Sequence, residues 1–213
     1  MRMAPVNDNV EVGDLSPEDF ALWAKKERFF RAMADAVAER GYGNTAVADV
    51  LQRAGMSRKT FYELFTNRED CFLQAYDAAV ARVRMLVSET YHRAQWRSLR
   101  ERVELCLSAF LEACAAEPAM ARMCLVEILA AGPRARERRD AALMEFARFL
   151  EHPRAEARGT DAPSLVSEAI AGGIYGILYT RVARGETETL PELLDELMDA
   201  GLRQLIPDDD EES

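Results

Sequence analysis

The sequence predicts an all-α protein, and three observations carry that prediction. Ala, Leu, Glu and Arg dominate nearly every segment after residue 16, β-branched residues are thinly spread, and capping residues followed by apolar positions at helical spacing recur along the chain. With 213 residues, 49% of them hydrophobic, the chain is long enough to bury a sizeable core.

Residues 1–15 are polar and aperiodic and are predicted to form a flexible arm. Ser16 is placed to cap the first helix, with Pro17 at its first position and Asp19 where a capping-box acid would stand. Phe20, Trp23, Phe30, Met33, Ala34 and Val37 follow at helical spacing until Gly41 and Gly43. Thr45 is predicted to cap a second short helix running through Arg53, which buries Val47, Val50, Leu51 and Ala54. Gly55 supplies a tight turn, and Ser57 caps a third helix. Thr66 and Glu69 form the predicted capping box of a fourth helix, apolar at Phe72, Leu73, Tyr76, Val80, Val83 and Leu86.

Ser98 and Glu101 open a helix to about Ala116, and Pro118 opens another that Gly132 and Pro133 close. The basic run at residues 134–140 leads into a helix ending near Glu151; it reads as a solvated face, with a second phosphate site as the alternative. Residues 153–163 read as a linker. A helix from Ser164 to Arg184 is closed by Gly185, and a last helix carries Pro191 in its first turn. Residues 208–213 form a charged tail.

The net charge of −10 argues at first against a nucleic-acid partner. The charge is unevenly spread, however. Arg2 stands against Asp8, Glu11, Asp14, Glu18 and Asp19, and residues 208–212 are all acidic, whereas residues 45–68 carry Arg53, Arg58, Lys59 and Arg68 against Asp49 and Glu63. The segment at the third helix is locally basic. Cys71, Cys106, Cys114 and Cys124 lie in helical patterns without Cys-x-x-Cys spacing and read as reduced core thiols. The first residues lack a signal-peptide pattern, and no apolar run approaches the ~20 residues of a membrane helix. These features predict a cytoplasmic protein without a membrane partner.

Wound at about 3.6 residues per turn, the third helix puts Phe61, Leu64 and Phe65 on one apolar stripe. Lys59, Tyr62, Glu63 and Thr66 project from the other side, with Arg58 and Thr60 on the flanks. A helix entering a DNA major groove must offer cations to phosphates and hydrogen-bonding groups to base edges, and this face provides both. An ordinary amphipathic surface helix is the alternative for this segment alone. Ser57, at the amide end of the helix, can also receive a phosphate.

Thr45, Val50, Ala54, Gly55, Ser57, Thr60, Phe61, Tyr62, Phe65 and Glu69 together form a pattern that resembles the helix-turn-helix of the TetR family of transcriptional regulators. Leu51 replaces a small Ala of that pattern, Met56 a Val and Arg68 a Lys. The resemblance implies an N-terminal three-helix DNA-binding domain over residues 16–70, with a larger helical ligand-binding and dimerisation domain over residues 71–207. It implies that Thr45, Tyr62 and Arg68 touch phosphates and that Arg58, Lys59 and Thr60 lie at or near the bases.

For a homodimer, the last helix carries Leu190, Leu193, Leu194, Leu197, Met198, Leu202 and Leu205 on one side, and Gly172, Gly173 and Gly176 in the preceding helix permit close backbone approach. Packing of the same faces within one chain is the alternative. Trp96, Phe110, Met120, Met123, Tyr175 and Tyr179 are the candidates for a ligand pocket, although aromatic and Met residues at helical spacing are core more often than pocket. His92 and His152 are far apart and lack a metal or triad pattern, and there is no Gly-rich phosphate loop or G-x-S-x-G. The sequence therefore predicts no enzyme, no cofactor and no metal. It predicts a regulator, most simply a repressor that a small molecule releases from a palindromic double-stranded DNA operator. The alternative is a helical small-molecule-binding or scaffold protein that no longer engages DNA.

Overall fold

The computed structural model describes the backbone of residues 16–158 and 164–202, and the side chains of these residues outside 152–158 and 201–202. The predicted arm at 1–15, the acidic tail at 208–213, Leu205 and the side chains of His152 and Leu202 lie outside the described residues. Within them every regular element is helical.

Helix α1 (Pro17–Arg40) starts as its sequence requires: Ser16 Oγ accepts from the Asp19 amide at 3.1 Å. Its first turns stand in solvent with Phe20, Leu22 and Trp23 exposed, and burial begins at Phe29. Gly41, at φ 76°, stops it and a 3₁₀ turn follows at Tyr42–Asn44. Helix α2 (Val47–Ala54) does not use Thr45 as its cap. Ala46 holds the cap position, and the Asp49 carboxylate accepts its N–H at 2.7 Å.

Gly55, at φ 61°, makes the turn into α3 (Arg58–Leu64), where Ser57 caps by accepting from the Thr60 amide at 3.1 Å. Helix α4 (Arg68–Arg93) also shifts its predicted cap by one residue. Asn67, in place of Thr66, caps it by accepting from the Asp70 amide at 2.9 Å, while Asp70 accepts from the Thr66 amide at 2.8 Å. Partial burial opposes the charge of Asp70, but hydrogen bonds from Gln74 and Thr66 outweigh it and hold the carboxyl below its ordinary range.

Helix α5 (Leu99–Ala116) has the predicted Ser98 and Glu101 box. The helix begun at Pro118 is shorter than predicted: α6 (Pro118–Leu125) gives way to a 3₁₀ turn at Glu127–Leu129. Helix α7 (Pro133–Arg158) takes in the basic run and the first residues of the predicted linker. Helix α8 (Leu165–Ala183) is capped by Ser164, whose hydroxyl also donates to the buried Glu151 carboxylate at 2.7 Å. The predicted last helix is broken into a 3₁₀ segment at Thr187–Leu193, one turn of α9 (Leu194–Leu197) and a π turn at Met198–Leu202. Pro191 sits inside the 3₁₀ segment and has no N–H to sustain an α ladder.

The buried residues form two clusters. The first joins α1, α2 and α3 to the start of α4, and takes in Met120 and Met123 of α6 with Ile128, Ala131 and Ala135. The second joins α5, α7, α8 and the terminal segment. The expected boundary near residue 70 thus falls beside a core that the later helices help to fill.

Candidate nucleic-acid interface and ligand cavity

Three rings fix α3 to the body of the protein. Phe61 packs edge-on to Phe29 at 5.5 Å between centroids and lies 5.1 Å from Phe65, while Phe29 and Phe65 meet edge-on at 5.6 Å. Phe29 and Phe61 have no exposed surface and Phe65 is 2% exposed. Edge-to-face pairs of this kind add to simple burial and leave a short helix little freedom to rotate. The opposite face then has one orientation. Ser57, Arg58, Lys59, Tyr62 and Glu63 are exposed there, Tyr62 by 50%, and Thr60 is half-buried. Lys59 reaches only Glu63 at 3.9 Å, a solvated pair that a phosphate can displace.

Thr45 and Arg68 stand differently from what the resemblance implied. Thr45 is 1% exposed, and its hydroxyl donates to the carbonyls of Gly41 at 2.9 Å and Ala36 at 3.2 Å. Arg68 donates through Nη1 to the carbonyls of Tyr42, at 3.1 Å, and Thr45, and its guanidinium lies 4.3 Å from the centre of the Tyr42 ring. Both side chains brace the turn before α2 instead of projecting toward a phosphate. Carbonyls at the end of α1 and in the turn that follows accept their donors.

A cavity of about 610 Å³ runs between α4, α5, α6, α7 and α8. Phe110, Met120 and Tyr175 line it as expected. Three other candidates do not. Trp96 is 77% exposed beyond the end of α4, Met123 is fully buried in the first core cluster, and Tyr179 lies outside the lining, 6.4 Å from the Tyr175 ring. Val80, Val83, Val87 and Tyr91 of α4 and Leu143, Phe146 and Phe149 of α7 build much of the wall, and none of them stands out in the sequence. Their apolar spacing is what a core helix also shows, so no local signal separates them. Cys106, Cys114 and Cys124 line the cavity too, and burial pushes their thiols up to about 11, 12 and 12.

The residues proposed for a dimer divide in two. Leu197 and Met198 are 4% and 3% exposed, and Leu193 and Leu194 pack against the second core cluster, so these four serve their own chain. The broken helix folds its apolar side inward. Gly172, Gly173 and Gly176 are exposed, and they share the outer side of α8 with Val166 and Ile177, which are 47% and 42% exposed.

Comparison with known proteins bears on both sites. Residues 29–75 match the family model for bacterial regulatory proteins of the tetR family. The match takes in the end of α1, all of α2 and α3 and the start of α4, so the helix-turn-helix resembles that of the tetR family. Solved structures extend the likeness of fold to most of the chain. The fatty acid degradation regulator FadR from Bacillus halodurans is 18% identical, with a TM-score of 0.73 over 84% of this chain and 94% of its own. FadR from Bacillus subtilis, solved in complex with stearoyl-CoA, is also 18% identical, with a TM-score of 0.67 over 85% and 97%. A TetR family transcription regulator from Marinobacter aquaeolei is 17% identical, with a TM-score of 0.61 over 83% and 96%. No curated protein matches the sequence.

In this TetR-like fold a polar bridge joins the helix-turn-helix to the rest. Glu127, just after α6, is 8% exposed; its carboxylate accepts the Tyr42 amide at 2.9 Å and lies 3.6 Å from Arg122. Arg122 also donates to the carbonyls of Val182 and Ala183 at the end of α8, at 3.3 and 3.4 Å. On α4, Arg82 donates to both oxygens of Glu27 on α1, at 2.8 and 3.0 Å. Arg138 and Arg134, from the run that the sequence left open to a phosphate, instead pair across to Asp77 at 2.9 Å and Glu69 at 3.7 Å on α4.

Proposed function

We propose that the protein is a homodimeric TetR-type repressor whose α3 reads a palindromic DNA operator and whose cavity binds an apolar, acyl-type small molecule that releases it. The supporting observation is that Tyr76, Ala79 and Met120 belong both to the core that seats α3 and to the wall of the cavity. A ligand that rearranges those side chains shifts the packing under the DNA-reading head. Release is then a population shift: turning a 99:1 equilibrium over would take a preference of about 10⁴-fold for the non-binding conformer. The apolar wall and the stearoyl-CoA held by the Bacillus subtilis regulator of similar fold support the ligand class. Such a regulator acts on DNA in the cytoplasm.

In the homodimer the outer side of α8, with Gly172, Gly173 and Gly176, meets its copy, and two-fold symmetry sets half-sites ~34 to 36 Å apart. Ser57, Arg58, Lys59, Thr60 and Tyr62 make the contacts with DNA.

The test is fluorescence anisotropy on DNA from upstream of the gene against scrambled DNA, at two salt concentrations. The expected result is specific binding by two protomers that weakens steeply with salt. Lys59→Ala and Tyr62→Ala should each weaken binding about tenfold while leaving thermal unfolding unchanged, because both side chains are exposed. Unchanged affinity in both variants would remove α3 as the reading helix.

A further inference from the structure

The cavity wall carries three arginines, Arg82, Arg84 and Arg139. Two of them are matched by full-length acidic side chains. Arg82 holds Glu27, with Glu117 at 4.0 Å, and Arg84 meets Glu145 at 3.1 Å. Arg139 is placed differently. Its one ion pair runs from Nε to the carboxylate of the adjacent Asp140 at 3.2 Å, a side chain 62% exposed, and that contact is not a hydrogen bond, so the buried Nε has no hydrogen-bond partner. Its guanidinium carbon lies 5.2 Å from the centre of the Tyr175 ring, and Tyr76 and Tyr175 line the same wall.

A buried N–H on a cation that makes no hydrogen bond calls for an explanation, because an exposed ion pair alone compensates its desolvation only in part. A purely apolar ligand would enclose Arg139 further and supply nothing. A carboxylate would supply two oxygens in the plane that a guanidinium prefers. The phenols fit that role as well. Tyr175 spends its proton on the Leu125 carbonyl at 2.8 Å, and burial raises both phenols, Arg139 opposing the rise, so that they stay protonated at neutral pH. The rest of the wall is mainly apolar; its other polar members are Ser88 and His92, with Glu117 and Glu145, the two carboxylates already placed near Arg82 and Arg84, and 610 Å³ holds on the order of 20 heavy atoms at roughly 30 Å³ each.

From this geometry we infer that the ligand is a single-chain carboxylate, its chain lying between α4, α5 and α7 and its carboxylate paired with Arg139. The inference rests on the reading of this cavity as the ligand site, and it narrows that reading from acyl compounds in general to the free acid.

Isothermal titration of the full chain with decanoate, decan-1-ol and decanoyl-CoA at neutral pH tests it, using the wild type and Arg139→Met, which keeps most of the side-chain length. The wild type is expected to bind decanoate at least tenfold more tightly than decan-1-ol. Arg139→Met is expected to bring decanoate down to the level of the alcohol, leave the alcohol unchanged, and leave DNA affinity without ligand unchanged. Equal binding of acid and alcohol by the wild type overturns the assignment, and that comparison needs no variant. Tighter binding of decanoyl-CoA than of decanoate, insensitive to Arg139→Met, overturns it in favour of a thioester whose head lies elsewhere. Failure of all three to bind would sink the cavity as an acyl site along with the role of Arg139.

Discussion

Single residues in the helix-turn-helix separate what is local from what is not. Ser57 and Phe61 were legible because a cap and an apolar stripe are written within a few positions of the residues they serve. Thr45 and Arg68 were not, because the carbonyls that claim them belong to Ala36, Gly41 and Tyr42, whose approach depends on how α1 ends. Gly55 combines both cases. Its φ of 61° follows from the turn, whereas the Arg28 Nη2 that would stand 2.9 Å from an added Cβ comes from another helix. Gly55→Ala should therefore cost about 1–2 kcal/mol, chiefly from the left-handed backbone, since the tip of Arg28 can move aside. A lower urea midpoint with an unchanged slope would confirm it. Phe61→Ala, which empties a position with no exposed surface, should cost more, about 3–5 kcal/mol by the same measurement.

At the scale of elements, periodicity located α1 through α8 but could not say which neighbour each apolar side meets. The final segment shows why: Leu193, Leu194, Leu197 and Met198 follow a helical spacing equally suited to a partner chain or to their own core, and Pro191 breaks the helix so that they turn inward. The valines of α4 pose the same ambiguity between core and cavity. The break after α6 has a measurable consequence. Glu127→Ala removes the acceptor of the buried Tyr42 amide and the partner of Arg122, and should lower stability by about 1–3 kcal/mol in thermal or urea unfolding. If Glu127 also joins the two clusters mechanically, ligand should dissociate the variant from DNA less completely than it does the wild type.

For the whole molecule, the distribution of thiols sets a limit on alkaline stability. Cys106, Cys114 and Cys124 have pKa values near 11, 12 and 12 in the folded chain against a reference of 9.0. Above pH 9 the unfolded chain loses these protons first, so the folded state binds more protons and stability falls as pH rises. That contribution is fully present below about pH 9 and is lost progressively from there toward about pH 12. The melting temperature should accordingly drop across that range, and replacing Cys114 by Ala should flatten part of the drop. Native thiols should also react slowly with a disulfide reagent at pH 8, because little thiolate is present.

The two tryptophans occupy a useful place in this architecture. Trp23 stands on the solvent-exposed start of α1 and Trp96 beyond the end of α4, and neither touches the cavity. No bound compound can quench either indole by direct contact there. An emission change on adding ligand would thus be an optical record of helix displacement itself, and substituting Trp96 by Phe would show how much of that signal originates at Trp23 on α1.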